Sequence, residues 1–276
     1  MFTTLIEVEV LEQNLEQDGW VVVDCRFSLA DTEIGRQAYE KKHIPGAVYA
    51  HLDDDLCGPP ITDHGRHPLP TPEAMAAQFG RMGIDRTTQV VVYDDANGAI
   101  ASRLWWMLRY MGHDAAAVLN GGWQAWQEAG FAARTGIELN ESSYFDGAVR
   151  EGWLVTLNDL GDLRLLVDSR APERYRGEIE PIDIRAGHIP GAVNYFYQLN
   201  WDGNGRYLPP DLLKERFEQF LGETMVEEFT FHCGSGVTAC VNLLALAYTG
   251  LGDGKLYVGS WSEWCRDPLR PAVKGG

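Results

Sequence analysis

Short runs of apolar, β-favouring residues alternate along this chain with longer stretches whose apolar positions recur at helical spacing. The run Trp20-Val21-Val22-Val23 closes on Asp24-Cys25-Arg26, and Leu165-Leu166-Val167 closes on Asp168-Ser169-Arg170, so one buried-strand pattern ends in Asp-x-Arg twice. In the first half, residues 72–82 predict a helix capped by Thr71, residues 90–93 a strand and residues 102–111 a further helix. In the second half, residues 210–221, 228–231 and 241–248 predict the same succession of helix, strand and helix. Strands alternating with helices imply an α/β fold whose parallel sheet is covered on both faces.

The two halves share more than a pattern. His43-Ile44-Pro45-Gly46-Ala47-Val48 recurs letter for letter as His188-Ile189-Pro190-Gly191-Ala192-Val193, and Gly121-Gly122-Trp123-Gln124-Ala125-Trp126 finds its counterpart in Gly259-Ser260-Trp261-Ser262-Glu263-Trp264. Order and spacing are kept, and a period this long indicates duplicated domains, not a solenoid of small repeats. The polar stretch with Asn140-Glu141-Ser142-Ser143 and Gly147 reads as the connection, which gives a first domain over 1–136, a linker over 137–152 and a second domain over 153–276.

Composition adds mainly exclusions. The net charge of −17 repels phosphate backbones and anionic lipid surfaces, so neither nucleic acid nor membrane is expected as a partner, and an anionic substrate needs a local basic pocket. The start of the chain has no basic segment followed by an apolar one, and no run approaches the length of a membrane span, which predicts a cytoplasmic protein. Five cysteines without Cys-x-x-Cys spacing argue against a disulfide framework and against a structural zinc. Neither a metal nor an organic cofactor is expected.

The chemistry concentrates in Phe231-His232-Cys233-Gly234-Ser235-Gly236-Val237-Thr238-Ala239-Cys240, between the predicted strand and the predicted helix. Gly234 and Gly236 permit backbone angles closed to other residues, so successive N–H groups can turn inward around Cys233 at a helix N-terminus. Such a cradle favours thiolate over thiol, and the thiolate is the nucleophile. A Cys-x5-Arg phosphate loop would close on arginine, but Ala239 stands there, so phosphatase chemistry is disfavoured. The equivalent residue of the first half, after Val91-Val92-Tyr93, is Asp94, so only the second copy carries the nucleophile.

Taken together, the Asp-x-Arg strands, the His-Ile-Pro-Gly-Ala-Val copies, the Gly-x-Trp segments and the single Cys233 loop resemble the tandem-domain sulfurtransferases, the rhodanese and 3-mercaptopyruvate sulfurtransferase family. The resemblance spans the chain. It implies two tandem rhodanese-like domains and transfer of sulfur from a small-molecule donor, through a Cys233 persulfide, to cyanide, a small thiol or a protein thiol such as thioredoxin. Gly234 and Ser235 match the loop of mercaptopyruvate enzymes, whereas thiosulfate rhodaneses of this type carry basic residues at those positions; without loop cations, thiosulfate is expected to be the poorer donor. A thiosulfate-specific or dual-donor enzyme is the alternative. A noncatalytic sulfur-carrier module is a further one.

The resemblance also assigns site residues. Ser235, His67 and Asp53 would form a relay that protonates the departing pyruvate enolate, with His67 and Asp53 supplied by the first domain across a cleft and His64 a competitor for the histidine role. Substrate binding would fall to Arg174, with Gly234, Gly236, Val237 and Thr238 of the loop. The family's second arginine follows a Glu-Pro pair; here Ile182 follows Glu180-Pro181, and the nearest basic residue is Arg185. Arg26 and Arg170 are expected to make structural ion pairs, and Cys57, Cys240 and Cys265 to be inert.

Overall fold

The computed structural model describes residues 1–60, 64–162, 165–222 and 224–276. The chain divides into two units, the first comprising Met1–Gly58, Pro70–Arg150 and Gly203–Arg206, the second Pro59–Leu69, Glu151–Asp202 and Tyr207–Gly276. Two short segments thus pack away from their place in chain order. Within the first unit, Arg206 Nη1 donates to Glu7 Oε2 at 2.8 Å.

The first unit contains β1 (Leu5–Ile6), α1 (Val8–Glu12), β2 (Trp20–Asp24), α2 (Ile34–Lys41), β3 (Val48–Tyr49), α3 (Leu52–Asp55), α4 (Pro72–Arg81), β4 (Gln89–Tyr93), α5 (Ala101–Tyr110), β5 (Ala116–Leu119) and α6 (Gly122–Glu128). The second contains β6 (Leu154–Val155), β7 (Leu165–Asp168), α7 (Pro172–Tyr175), β8 (Val193–Asn194), α8 (Pro210–Leu221), β9 (Phe229–His232), α9 (Ala239–Tyr248), β10 (Lys255–Tyr257) and α10 (Ser260–Trp264). Each unit has one five-stranded sheet, ordered β1-β5-β4-β2-β3 and β6-β10-β9-β7-β8, and all the pairings are parallel. The duplicated sequence therefore gives one topology twice.

Local chemistry accounts for the elements that matter. Thr71 caps α4 by accepting from the Ala74 amide at 3.3 Å, with Pro72 preset for the first turn, a cap contributing about 1 kcal/mol. Helix α5 buries Leu104, Trp105, Trp106, Met107 and Leu108, and α9 is buried from Ala239 to Leu246. Both helices are buried along most of their length, and both follow the central strands of their sheets, β4 and β9. The strand expected over 228–231 begins one residue later, because Val226–Glu228 forms a 3-10 turn that uses Glu227 and Glu228.

The Asp-x-Arg pairs are structural, as expected. Arg26 Nη2 donates to Asp24 Oδ2 at 2.5 Å and to the Lys42 carbonyl at 2.7 Å, and its guanidinium lies 4.9 Å from the Trp123 ring. Arg170 repeats this with Asp168 at 2.6 Å, the Gly187 carbonyl at 2.8 Å and Trp261 at 4.9 Å. A buried carboxylate is tolerable only with such a partner. Each pair ties the end of a core strand to the loop before the His-Ile-Pro-Gly segment and to the Gly-x-Trp segment. Among the described residues no helix is long and apolar enough to cross a membrane.

Candidate active site

Cys233 follows β9 and is buried, 2 % exposed. Its amide donates to Ser260 Oγ at 3.2 Å and its carbonyl accepts from the Trp261 amide at 3.0 Å, while the Gly234 carbonyl accepts from the Ser262 amide at 2.8 Å. The Gly-x-Trp segment thus braces the loop from beneath. Gly236 has φ +76°, and a Cβ there would lie 2.5 Å from the Val258 carbonyl oxygen, so both its conformation and its packing demand glycine. Ser260 also has positive φ, +55°, a costly conformation for a serine that here delivers its hydroxyl to the Cys233 amide.

With that brace in place, no acceptor among the described residues takes the amides of Gly234, Ser235, Val237 or Thr238. The first unit shows what such a loop does. There the carboxylate of Asp94, the counterpart of Cys233, accepts from the amides of Ala96 at 2.9 Å and of Gly98, Ile100 and Ala101 at 2.8 Å each. Burial raises the Asp94 pKa from its ordinary value, and these four amides oppose the rise. One loop is filled by its own anion; the other carries a cysteine at the corresponding position.

His67 is 4 % exposed, and its Nδ1 lies 2.8 Å from Ser235 Oγ. The segment that carries it belongs to the second unit by packing, although it precedes most of the first unit's sequence; in that respect the expected supply of His67 from the first domain is corrected. It is fixed there by close backbone contact, since a Cβ on Gly65 would lie 2.5 Å from the Gly259 carbonyl oxygen, and by the Arg66 amide donating to Ser262 Oγ at 3.0 Å. His64 is instead largely exposed, 3.7 Å from Glu263. Asp53 lies in the first turn of α3, in the first unit, where burial raises its pKa, His51 lowers it and Asp54 raises it.

The arginines alter the electrostatic picture. A Cβ on Gly234 would come within 3.3 Å of Arg66 Nη2 and 3.6 Å of both Arg174 Nη atoms, so two guanidiniums flank the cysteine loop. The residues at 234 and 235 are uncharged, as expected, and the guanidiniums beside them belong to Arg174, the expected substrate-site arginine, and to Arg66. Asp183 holds both, at 2.7 Å from Arg66 Nη1 and 3.0 Å from Arg174 Nη2, and Glu180 takes Arg174 Nη2 at 2.7 Å and Arg170 Nη1 at 3.3 Å. Arg66 Nε is buried and has no acceptor among the described residues. Sequence reasoning passed over Arg66, although it directly precedes His67. Arg185 lies against the Trp261 ring at 5.9 Å, with Nη1 3.5 Å from the Pro268 carbonyl and with Nε and Nη2 buried without an acceptor among the described residues.

The other thiols sit in less reactive surroundings. Burial pushes Cys57 up to about 11, and burial also raises Cys25 and Cys265. Cys240 Sγ points at the Gly236 carbonyl at 3.6 Å.

Comparison with known proteins agrees with the duplicated topology. Residues 7–129 and 152–267 each match the family model of the rhodanese-like domain. The chain is 43 % identical over 280 residues to a Pseudomonas aeruginosa protein named "Probable 3-mercaptopyruvate sulfurtransferase", covering 98 % of this chain and 98 % of that one. It is 38 % identical over 261 residues to a Mycobacterium tuberculosis protein named, provisionally, as the thiosulfate sulfurtransferase SseB, covering 92 % and 90 % of the two chains. Among solved structures, 3-mercaptopyruvate sulfurtransferase from Leishmania major superposes with TM-score 0.87 at 30 % identity, over 98 % of this chain and 75 % of that one.

Proposed function

Because this chain belongs to the rhodanese-like family, we propose that it is a sulfurtransferase that takes sulfur from 3-mercaptopyruvate onto Cys233 and passes it to a thiol or cyanide acceptor. The Cys233 thiolate attacks the substrate's sulfur, the carbon–sulfur bond breaks, and its electron pair leaves with pyruvate as the enolate. The enolate carbon takes a proton from the Ser235 hydroxyl, which His67 re-protonates. An acceptor thiolate then attacks the outer sulfur of the persulfide and returns Cys233 to thiolate.

The observation that carries this reading is the 2.8 Å hydrogen bond between Ser235 and His67, two residues from the cysteine. Sulfite leaving from thiosulfate needs no carbon protonation; pyruvate enolate does. The relay role of Asp53 rests on the family resemblance and is tested by Asp53→Asn. Arg174 and Arg66 are suited to the substrate carboxylate because a guanidinium gives it charge-assisted hydrogen bonds, while the loop amides suit the sulfur anion. Arg185, whose Nε and Nη2 have no acceptor among the described residues, is a further candidate for the donor's charge.

A second donor is favoured by a specific observation. Two guanidiniums beside Gly234 offer hydrogen-bond donors to a thiosulfate dianion, while Asp183 and Glu180 balance their charge, so the proposal includes slower use of thiosulfate. For the acceptor, the proposal extends to a protein dithiol such as thioredoxin, and for the setting to a reducing cytoplasm, supported by five cysteines that form no disulfide.

The test is mass spectrometry of the intact protein after donor treatment, with steady-state rates for both donors. Wild type should gain one sulfur atom that cyanide removes, Cys233→Ser should gain none and lose turnover, and mercaptopyruvate should have the higher kcat/KM. An adduct at Cys57 or Cys265 would defeat the assignment of Cys233.

A further inference from the structure

The second unit contains a cavity of about 240 Å³ that the proposed reaction does not use. It lies over the carboxyl ends of β6 and β10, the edge at which parallel sheets of this kind commonly receive ligands. Pro68, Leu69, Leu154, Leu157 and Tyr257 make it largely apolar, and none of Cys233, Ser235, His67, Arg66 or Arg174 lines it. Its one acidic side chain is buried: Glu263, 8 % exposed.

The Glu263 carboxylate is held with little neutralisation. Tyr257 donates its hydroxyl to Oε2 at 2.7 Å, and the half-exposed imidazole of His64 at the rim is 3.7 Å from Oε1. Arg270 donates to the Glu263 main-chain carbonyl at 3.0 Å. A Cβ on Gly259 would fall 1.7 Å from Oε2, so glycine at 259 is what leaves the carboxylate its place.

The duplicated unit shows that the fold does not need this arrangement. Tyr257 pairs with Val155 in the sheet as Leu119 pairs with Ile6, and the Glu263 amide donates to the Gly259 carbonyl at 3.1 Å as the Ala125 amide does to Gly121, also at 3.1 Å. Where the second unit places Tyr257 and Glu263, the first therefore has Leu119 and Ala125, both in its apolar core. The same framework closes with two apolar residues and no buried charge. Burying a carboxylate is costly unless something compensates it, so the polar pair in the second unit points to an occupant.

We propose that this cavity binds a small ammonium ion carrying an apolar body, the ammonium on Glu263 and the body against Leu154, Leu157 and Leu69. The space holds roughly eight water-sized groups at about 30 Å³ each, the scale of a benzylammonium ion. A cation fits better than a neutral donor because Tyr257 already supplies one hydrogen bond and the remaining demand is for charge. The wall formed by Val258 and Gly259 is shared with the catalytic loop, the Val258 carbonyl packing against Gly236, so the ligand would sit directly behind that loop.

Isothermal titration of the full chain with benzylammonium at neutral pH tests the assignment, with benzyl alcohol as the neutral isostere and benzoate as the anion. One-to-one binding is expected for the ammonium, at least tenfold weaker for the alcohol and absent for benzoate. Glu263→Gln should weaken the ammonium by at least tenfold, and Leu157→Trp, which fills the cavity and leaves the carboxylate in place, should abolish binding with sulfur-transfer rates unchanged. No saturable binding to wild type, equal binding of ammonium and alcohol, or full binding to Leu157→Trp would each overturn the proposal.

Discussion

Replacing Ser235 by Ala removes one oxygen and leaves the loop's two glycines, its amides and both flanking arginines untouched, so the change can be traced to one interaction. Ser235 is 5 % exposed, and its hydroxyl meets His67 Nδ1 at 2.8 Å. Losing a buried hydrogen bond of this kind costs about 1–3 kcal/mol of stability, which a denaturant titration measures. The kinetic consequence is larger and selective. Positioned proton transfer contributes typically about 10²–10⁴ in rate, so mercaptopyruvate turnover should fall by at least about a hundredfold, equivalent to roughly 3 kcal/mol of transition-state stabilisation. Pyruvate release, followed through a coupled lactate dehydrogenase assay, reports that loss, and thiocyanate formation from thiosulfate and cyanide on the same preparation reports the control. Thiosulfate turnover should change by no more than about threefold, because its leaving group needs no proton on carbon. If both donors lose rate equally, Ser235 acts on the cysteine or on loop geometry, and the enolate-protonation reasoning is refuted; if neither does, the relay is absent.

Gly234→Ala should raise KM for both donors with a smaller effect on kcat, because the added methyl group meets Arg66 Nη2 at 3.3 Å and displaces a guanidinium that binds donor charge; unchanged KM would remove Arg66 from the site. Asp94→Ala should destabilise the first unit by about 2–4 kcal/mol, the loss of four amide bonds offset in part by the carboxylate's own desolvation, and added sulfate should stabilise the variant more than wild type by entering the vacated loop; equal effects of sulfate on both would refute the nest reading. His232 is fully buried and its pKa is lowered by burial, with Asp168 opposing, so below its usual value near 6.5 the unfolded chain binds the proton more readily than the folded one. Stability must then fall as pH drops below about 6.5, by up to about 1.4 kcal/mol per pH unit, and His232→Asn should flatten that slope in urea titrations at pH 5 and 7.

Much of the fold was legible because the chain states it twice. The paired Asp-x-Arg strands and His-Ile-Pro-Gly-Ala-Val segments gave two α/β units of like topology, and the helix at 72–82 was fixed by Thr71 and Pro72 to within a residue. What escaped were features set by packing at long sequence range. Nothing local to His67 indicates that its segment packs with the second unit, since the backbone contact of Gly65 with Gly259 spans most of the chain. Arg66 was overlooked for the same reason: an arginine in a loop rich in His, Gly and Pro reads as solvated, and only Asp183 and Gly234 give it a task. Arg174 was legible from its place shortly after the Asp-x-Arg strand, whereas Arg66 reaches Gly234 only through long-range packing.

The two loops that follow β4 and β9 take this argument one step further. A loop of inward amides is an unsatisfied donor cluster, and a folded protein leaves such a cluster open only at a cost. In the first unit the cost is removed by Asp94, whose carboxylate takes four amides at 2.8 to 2.9 Å. In the second, one donor, the Cys233 amide, is taken by Ser260, a residue held at φ +55° where the first unit has Gly122 at the same angle. Among the described residues the amides of Gly234, Ser235, Val237 and Thr238 have no acceptor, in a loop whose cysteine is most anionic as thiolate and persulfide. The same backbone solution thus stabilises the fold when its anion is built in and serves chemistry when its anion is transient. Exchanging Asp94 for cysteine should accordingly give a loop that holds a thiolate but has Asp95 and Ala96 where the second unit has Gly234 and Ser235, so peptide mass spectrometry after mercaptopyruvate treatment should still find the added sulfur on Cys233 alone; sulfur on the new cysteine would show that the loop amides suffice without Ser235.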